Sequence, residues 1–370
     1  MRHVIPVVLI ALLVIVPDVY IWQTYVRDTW AVWAWWLPTL AMALSLFASM
    51  LGWYHNSMLR MFFSLLLLSG LPKLIFAAIA PWAGVGVALI PALAVIALFL
   101  YGFAFGWRHL VVKRATCLSP DLPEAFDGYR VMQLSDVHLG TFGARSRFVS
   151  RIVDTINAQR PDLIVFTGDL VNVSAGELVP YMPVLGKLKA PDGVYSILGN
   201  HDYCEYGQDH TAAHAQRNLR VLEAMEARMG WHLLNNTHHL IERDGAQIAL
   251  IGVENIGKPP FPSRGDLGAA MEGLPEGIFK ILLSHDPTHW RSEVTRKTDI
   301  QLTLAGHTHA AQLRIGRWSP ARWAYNEWGG AYVESGKMLH VSPGIGGTVP
   351  FRFGAWPEVN VITLRRGRKA

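Results

Sequence analysis

Acidic, amide and imidazole side chains recur between residues 136 and 309, each group directly after a short apolar run. Asp136 and His138 are two residues apart, as are His307 and His309. Because alternate residues of an extended segment point to the same side, each pair can hold one ion. Carboxylate, imidazole and amide ligands suit divalent Mn, Fe or Zn, and no CxxC motif offers thiolates instead.

The number of candidate ligands favours two metal ions over one. Seven side chains are too many for one tetrahedral site, but they suit two ions that share a carboxylate. The seven are Asp136, His138, Asp169, Asn200, His285, His307 and His309. Two ions roughly 3.5–4 Å apart can clamp a phosphoryl group and activate water, so the pattern predicts phosphoester chemistry. One such motif alone is commonly accidental, and the prediction depends on five of them occurring in order.

The apolar runs before these motifs predict the strands that must position them, because their length and Val/Ile content are typical of buried strands. The runs are Tyr129–Leu134, Asp162–Phe166, Gly193–Leu198, Gln247–Gly252, Phe279–Leu283, Ile300–Leu304, Met338–Val341 and Val359–Leu364. Residues 145–159 and 216–229 have helical periodicity, and alternation of strand and helix indicates a layered α/β core. Sites in such sheets lie beyond the carboxyl ends of strands, so the motifs are expected to converge on one cleft.

The first 107 residues are a different kind of chain, with only six charged side chains. Their apolar stretches are Val4–Trp22, Trp30–Trp53, Met58–Ala80 and Ala83–Trp107. Each approaches or exceeds the roughly 20 residues that a helix needs to cross a bilayer. The sequence predicts a transmembrane α-helical bundle over residues 1–107 with four helices. Three helices, or a signal peptide in place of the first, are the alternatives because Pro17-Asp18 interrupts that stretch.

Basic residues predict the orientation of this bundle. With four spans, one side carries Arg2, Arg60, Arg108, Lys113 and Arg114, and the other side carries only Arg27. The positive-inside rule then places the N-terminus and everything after residue 107 in the cytoplasm. Lys73 lies within the third stretch and is interpreted as a snorkelling or helix-end lysine, with a buried functional lysine as the alternative.

The ordered motifs resemble those of the calcineurin-like metallophosphoesterase family, over about residues 128 to 365. The residues that carry the resemblance are Asp136-Val137-His138, Gly168-Asp169, Gly199-Asn200-His201-Asp202, His285 and Gly306-His307-Thr308-His309. The family implies a four-layer α/β/β/α sandwich with a dinuclear centre. The phosphoesterase domain is therefore expected at residues 128–366, after a linker at 108–127 that contains Pro120 and Pro123.

Two later segments, Ser342–Gly346 and Phe351–Gly354, are similar to the membrane-linked bacterial branch of YkuE/YaeI-type phosphoesterases. That resemblance implies a multi-pass protein of the bacterial inner membrane. Some members of the branch resemble hydrolases of UDP-acylated sugars. The branch usually has two glycines after the H-x-H pair, whereas this chain has Ala310 and Ala311.

The resemblance also implies individual roles. The ligands of one metal would be Asp136, His138, Asp169 and His309. The ligands of the other would be Asp169, Asn200, His285 and His307, with Asp169 as the bridge. His201 resembles the non-ligand histidine near the leaving group, where an imidazole can donate a proton; orienting Asp202 is the alternative. Arg352 is a candidate phosphate clamp, with a salt bridge to Glu358 as the alternative.

These expectations combine into a membrane-bound phosphohydrolase with two divalent metals that cleaves a phosphoester or pyrophosphate bond. A lipid-linked substrate such as a UDP-acylated sugar is the first choice. The alternatives are a phosphodiesterase or phosphatase that acts on a soluble substrate, and a non-catalytic metal-binding scaffold. Residues 108–370 carry 29 basic and 26 acidic side chains, and this near balance argues against a nucleic-acid partner.

Overall fold

The computed structural model describes residues 4–53, 55–143, 146–206, 211–259 and 261–367. The chain divides into two compact units, Met1–Phe105 and Gly106–Ala370. The first unit is helical, and the second contains two β-sheets with helices packed on them. Each unit has apolar clusters of its own.

Helices occupy all four apolar stretches of the first unit. They are α1 (Val4–Ile21), α2 (Leu37–Met50), α3 (His55–Leu65), α4 (Leu71–Ala83) and α5 (Val85–Ala104). A π-helical turn, Leu66–Gly70, joins α3 to α4. In the described part of the chain, three segments are long and apolar enough to cross a membrane: Trp30–Met50, Ser57–Ala83 and Val85–Arg108. The apolar segment Leu12–Val26 is shorter, so a fourth crossing helix stays a prediction.

A buried ion pair joins α1 to α4. The Nζ atom of Lys73 lies 2.6 Å from Oδ1 of Asp18, whose side chain is fully buried. The hydroxyl of Thr39 donates a hydrogen bond to Oδ2 of the same carboxylate, and the ammonium lies 4.1 Å from the ring centroid of Trp35. The interpretation of Lys73 as a snorkelling lysine was therefore wrong. An unpaired charge among apolar helices is costly, so each of these two ions requires the other.

Replacing Lys73 with Met should destabilise the helical unit by about 3–5 kcal/mol, because it leaves the Asp18 carboxylate buried without its counter-charge. Thermal unfolding of the detergent-solubilised chain measures the change. The double variant Lys73→Met with Asp18→Asn is the control, and it should recover most of the loss. Equal instability of the single and the double variant would contradict this account.

Strands of the second unit form two mixed sheets of six. The first sheet has the order β1–β12–β2–β3–β4–β5, and the second has the order β10–β11–β9–β8–β7–β6. The first sheet contains β1 (Val111–Ser119), β2 (Arg130–Leu134), β3 (Leu163–Phe166), β4 (Val194–Ser196), β5 (Trp231–Leu233) and β12 (Glu358–Arg366). The second contains β6 (Thr237–Arg243), β7 (Ala246–Gly252), β8 (Phe279–Leu283), β9 (Leu302–Ala305), β10 (Gly330–Glu334) and β11 (Lys337–Val341). All eight predicted runs contain strands.

The sheets pack face to face and carry helices on their outer faces. Neighbouring residues of β2 show the arrangement. Val131 belongs to an apolar cluster formed by both sheets, whereas Met132 belongs to a cluster between the first sheet and its helices. Helices of this unit are α6 (Ser146–Ala158), α7 (Met182–Leu185), α8 (Ala212–Arg228), α9 (Leu267–Met271) and α10 (Thr295–Lys297). Helices α6 and α8 cover the first sheet, while α9 covers the second. The order helix, sheet, sheet, helix confirms the predicted four layers.

The residues predicted to form a linker contain a strand instead. Val111–Ser119 is β1, which pairs in parallel with β12 from Val111↔Glu358 to Ser119↔Arg366. It lies at the edge of its sheet, and most of its positions are exposed or half-buried. The prediction of a linker was wrong here because such an edge strand lacks the continuous apolar run of a buried one.

Candidate metal centre

The predicted ligands follow the carboxyl ends of strands in both sheets. Asp136 and His138 follow β2, Asp169 follows β3 and Asn200 follows β4. From the second sheet, His285 follows β8, while His307 and His309 follow β9. The two sheets therefore bring their carboxyl ends to one cleft, as the motif order predicts.

Two clusters of ligand atoms share one carboxylate. The atoms offered by Asp136, His138, Asp169 and His309 lie within 4.8 Å of one another, and so do those of Asp169, His285 and His307. Oδ2 of Asp169 lies 3.2 Å from Nε2 of His285 and 3.5 Å from Nε2 of His138. This is the arrangement that two cations with a bridging carboxylate require.

Unsatisfied buried atoms support the fit of cations at this place. Oδ1 of Asn200 and Nδ1 of His309 are buried and have no hydrogen-bond partner among the described residues. Leaving a buried polar atom unpaired costs about 1–3 kcal/mol, so a ligand for these atoms is expected. Asn200 precedes His201, whose backbone N–H donates to Oδ1 of Asp169 over 2.9 Å. These residues therefore fit a pair of divalent metal ions.

Most of the ligand residues have a left-handed backbone. The φ angles are 49° at Asp136, 49° at His138, 62° at Asp169, 72° at His307 and 51° at His309. Non-glycine residues rarely adopt this conformation, and where they do the surrounding packing must impose it. Here the close approach of the two sheets imposes it. A Cβ atom at Gly306 would lie 2.2 Å from Oδ2 of Asp136, so glycine is required there.

The left-handed conformation continues beyond the H-x-H pair. Ala310 and Ala311 have φ angles of 48° and 47°, and Gln312 has 57°. The alanines thus adopt the conformation that glycines would adopt at these positions, at about 1–2 kcal/mol each. The turn is kept despite the departure from the two glycines of the related branch.

Asp202 connects the loops after β3 and β4. Its carboxylate accepts hydrogen bonds from the backbone N–H groups of Asp169 (2.7 Å), Leu170 (2.8 Å), Val171 (3.2 Å) and Gly199 (2.9 Å). Four backbone donors hold this carboxylate, so the alternative role of His201 as the group that orients Asp202 was wrong.

His201 is positioned for proton transfer through one ring nitrogen. Its Nδ1 lies 2.7 Å from the carbonyl oxygen of Asn172, and because a carbonyl only accepts, Nδ1 carries a proton. Its ring centroid is 4.7 Å from that of His138 and 4.6 Å from that of Tyr206. The remaining nitrogen, Nε2, is the atom available to a substrate.

Arg352 does not have either predicted role. Its side chain is 1% exposed, and its guanidinium donates to the carbonyl oxygens of Pro343 (2.8 Å), Gly346 (2.5 Å) and Ala355 (3.1 Å). Among the described residues it forms no ion pair with Glu358. Arg352 therefore holds the 343–355 loop in place and is not a phosphate clamp.

Burial and mutual attraction set the pKa values of the metal-free centre. Burial raises the pKa of Asp136 to about 6 and lowers the pKa of His138 to about 3. Burial acts against ionisation of both Asp169 and His285, but their attraction outweighs it. The attraction between the two side chains raises the pKa of His285 to about 10 and holds the pKa of Asp169 well below its usual range.

Metal affinity should therefore increase with pH. Without metal, Asp136 binds a proton below about pH 6 and His285 retains one up to about pH 10. A cation must displace each bound proton. For each proton released, the affinity for the cation should therefore fall by up to about tenfold for every unit by which the pH decreases. Chelator competition between pH 5 and pH 8 measures this dependence. An affinity that is constant or increases toward acid pH would contradict it.

Tyr325 is a functional residue that the sequence patterns missed. Its hydroxyl lies 2.9 Å from Nε2 of His307, which leaves Nδ1 of that ring as the atom free to bind a cation. Similarly, Nδ1 of His285 lies 2.7 Å from the carbonyl oxygen of Thr167. Such partners fix the tautomer and the orientation of a metal-binding histidine. No spacing rule marks Tyr325, because it enters the centre from a surface loop.

Replacing Tyr325 with Phe should weaken metal binding about 10–100-fold, because His307 loses the partner that orients its ring. Equilibrium dialysis with elemental analysis gives the affinity. Tyr332→Phe is the matched control, since that hydroxyl accepts backbone N–H groups of Trp328 and Gly329 and contacts no metal ligand among the described residues. Unchanged affinity in Tyr325→Phe would contradict the positioning role.

Comparisons with known proteins agree with this geometry. The family model for calcineurin-like phosphoesterases matches residues 129–311. The uncharacterized metallophosphoesterase YkuE of Bacillus subtilis is 31% identical over 280 residues, which are 72% of this chain and 90% of that protein. Among solved structures, the phosphopantetheinyl hydrolase PptH of Mycobacterium tuberculosis covers 59% of this chain and 89% of its own, with 14% identity and a TM-score of 0.37. A likeness of that degree says nothing about substrate.

A second kind of relative also carries a membrane part. The transmembrane protein with metallophosphoesterase domain of Danio rerio is 32% identical over 253 residues, which are 66% of this chain and 55% of that protein. The chain therefore spans about half the length of that relative. Together with the three apolar segments, the similarity associates this chain with a membrane.

Proposed function

Because this chain belongs to the calcineurin-like metallophosphoesterase family, we propose that it is a membrane-bound enzyme that cleaves a phosphoester or pyrophosphate bond of a lipid-linked substrate. Metal-dependent phosphoester hydrolysis is the activity of the family. The observation that carries the proposal is the double cluster of ligand atoms around Asp169. The family uses divalent metals, and the imidazole-rich ligands favour Mn, Fe or Zn at two positions.

Each part of the centre has a role in this hydrolysis. The two ligand clusters would hold a pair of cations, which when bound would supply an activated water molecule and would neutralise charge on the phosphoryl oxygens. Asp169 holds the two positions together, and the backbone donors around Asp202 keep its loop rigid. His201 lies beside His138 and donates a proton from Nε2 to the departing oxygen. Because Asn172 holds the other nitrogen, the ring cannot turn away from the leaving group.

We place the enzyme in the bacterial inner membrane as a multi-pass protein with a cytoplasmic catalytic unit. Two apolar segments separate Arg60 from Arg108, so both lie on the same side whether or not α1 crosses. Lys113 and Arg114 add to the positive charge on that side, which the positive-inside rule assigns to the cytoplasm. Protease digestion of sealed vesicles tests this orientation. Cleavage of the C-terminal tail from the periplasmic side would contradict it.

The membrane part supports the choice of a lipid-linked substrate. A single crossing helix suffices for permanent anchoring, and the described residues contain three candidate segments. A catalytic unit tethered at the bilayer also meets headgroup phosphates at high effective concentration. A UDP-acylated sugar combines a pyrophosphate with a lipid and fits both features.

The experiment compares a UDP-acylated sugar with the same UDP-sugar lacking its acyl chains, using the full chain in lipid nanodiscs with Mn. The lipid substrate should have the higher kcat/KM, and Asp169→Asn serves as the inactive control. Preference for the soluble sugar, or for a simple aryl phosphodiester, would reassign the enzyme to soluble substrates. Two bound metals with no turnover of any phosphoester would favour the non-catalytic scaffold.

A further inference from the structure

A loop rich in tryptophan and arginine lies beside the metal centre and has no part in the chemistry above. We call residues 313–324 the Trp–Arg loop. It carries the cations Arg314, Arg317 and Arg322, and there is no acidic residue between His307 and Asn326. Trp323 is 77% exposed, although tryptophan is a large and mostly apolar side chain. A surface of this composition requires a partner that is both apolar and negatively charged.

The exposed side chains belong to an ordered structure. Ile315 and Trp318 exchange two backbone hydrogen bonds of 2.9 and 3.0 Å, which close a tight turn. The rings of Trp318 and Trp323 pack edge to face with centroids 5.7 Å apart. The hydroxyl of Ser319 donates to the carbonyl oxygen of Ala310 over 2.6 Å. The loop is therefore held with Trp323 facing outward and the half-buried Trp318 packed against it.

Positive charge on the loop is not neutralised within the described part of the chain. Arg317 and Arg322 are exposed, and no ion pair to either is recorded among the described residues. The nearest acidic residue in sequence, Glu327, is engaged by Arg291 at 2.6 Å. The two guanidinium groups are thus available to external anions.

We propose that the Trp–Arg loop docks onto the headgroup layer of an anionic lipid bilayer. Tryptophan prefers the interface between water and lipid, where its ring meets the acyl boundary and its N–H meets polar groups. Arginine binds lipid phosphates through its planar fork of donors, and anionic lipids attract clustered basic residues. The proposal concerns a surface outside the metal clusters and does not depend on hydrolysis.

The position of the loop makes docking relevant to the centre. The loop leaves the cleft after His309 and returns at Tyr325, whose hydroxyl contacts Nε2 of His307 at 2.9 Å. Both of its ends are therefore attached to predicted metal ligands. A bilayer bound at the Trp–Arg loop would therefore lie near the metal centre.

The test uses the full chain with an environment-sensitive fluorophore at Ala324→Cys, an exposed position of the loop. The native Cys117 and Cys204 are buried, at 3% and 1% exposure, and should not react. The protein is reconstituted in vesicles of phosphatidylcholine alone, or of equal parts phosphatidylcholine and phosphatidylglycerol. In the anionic vesicles alone, emission should shift to the blue and quenching by aqueous iodide should fall. Combined Arg317→Glu and Arg322→Glu substitutions should abolish both changes, and so should high salt with the unsubstituted loop.

Val221→Cys on α8 is the matched control, an exposed position on another element, and its label should not respond. Equal spectra in both kinds of vesicle would overturn the proposal. So would an equal response at position 221, or a blue shift in neutral detergent micelles, which would indicate contact with protein instead. The metal content of each variant reports whether it folds. The measurement at high salt uses the unsubstituted loop, so it does not depend on the folding of the charge-reversed variant. The result therefore stands even if the chain hydrolyses no phosphoester.

Discussion

The variant Asp169→Asn should lose both metal ions and nearly all hydrolytic activity. Asp169 is the only residue that belongs to both ligand clusters in the described part of the chain. An amide in its place removes the negative charge between the two cation positions, and its N–H₂ group cannot bind a metal. Two cations contribute several kcal/mol to the transition state, so turnover should fall by roughly 10³-fold or more.

Elemental analysis of the purified variant, together with hydrolysis of an aryl phosphodiester, measures both losses. Asp162→Asn is the control, since that carboxylate binds the backbone N–H of Arg130 and the side chain of Arg243. It should keep two metals per chain and normal turnover. Retention of two metals by Asp169→Asn would contradict the shared position of this carboxylate.

Replacing His201 with Ala should give the opposite combination, retained metals with slow turnover. The ring lies beside the ligands, but its Nδ1 is committed to the carbonyl of Asn172. Loss of a general acid typically reduces kcat by about 10²–10⁴-fold. The reduction should be smallest for substrates such as nitrophenyl esters, whose leaving groups need no proton.

A series of aryl phosphodiesters with leaving groups of increasing pKa separates this role from a structural one. His238→Ala is the matched control, because Nδ1 of His238 likewise lies 2.9 Å from a backbone carbonyl oxygen, that of Ala270. It should leave the whole series unchanged. An equal loss across all leaving groups in His201→Ala, or a loss of metal, would show that His201 is not the proton donor.

The buried strands and the ligand motifs were predictable from the sequence. A strand such as β3 is buried along its whole length, so it is a continuous run of Leu, Ile, Val and Phe. The polar residues after such strands meet because the carboxyl ends of the central strands face the same cleft. Residue type and order alone therefore located Asp169 and the residues around it.

Other features depend on contacts that no local pattern encodes. The positions of edge strands β1 and β10 are mostly exposed or half-buried, so these strands lack a buried run. The sequence also cannot show that Lys73 meets Asp18, because these residues belong to separate helices. Arg352 resembled a phosphate ligand only while its burial among backbone carbonyls was unknown.

In the left-handed turn from His309 to Gln312, a substitution that raises the stability of the folded chain should also weaken the hold on a metal ligand. Glycine at Ala310 and Ala311 would relieve backbone strain in the folded chain. It would also admit many more conformations to the turn whenever the ligands are vacant, and His309 would be held less firmly. Selection for thermostability alone would therefore favour glycine at these two positions, and rebinding of a metal ion that has dissociated would then be slower. The alanines therefore strain the folded chain but leave the turn fewer conformations when the ligands are vacant.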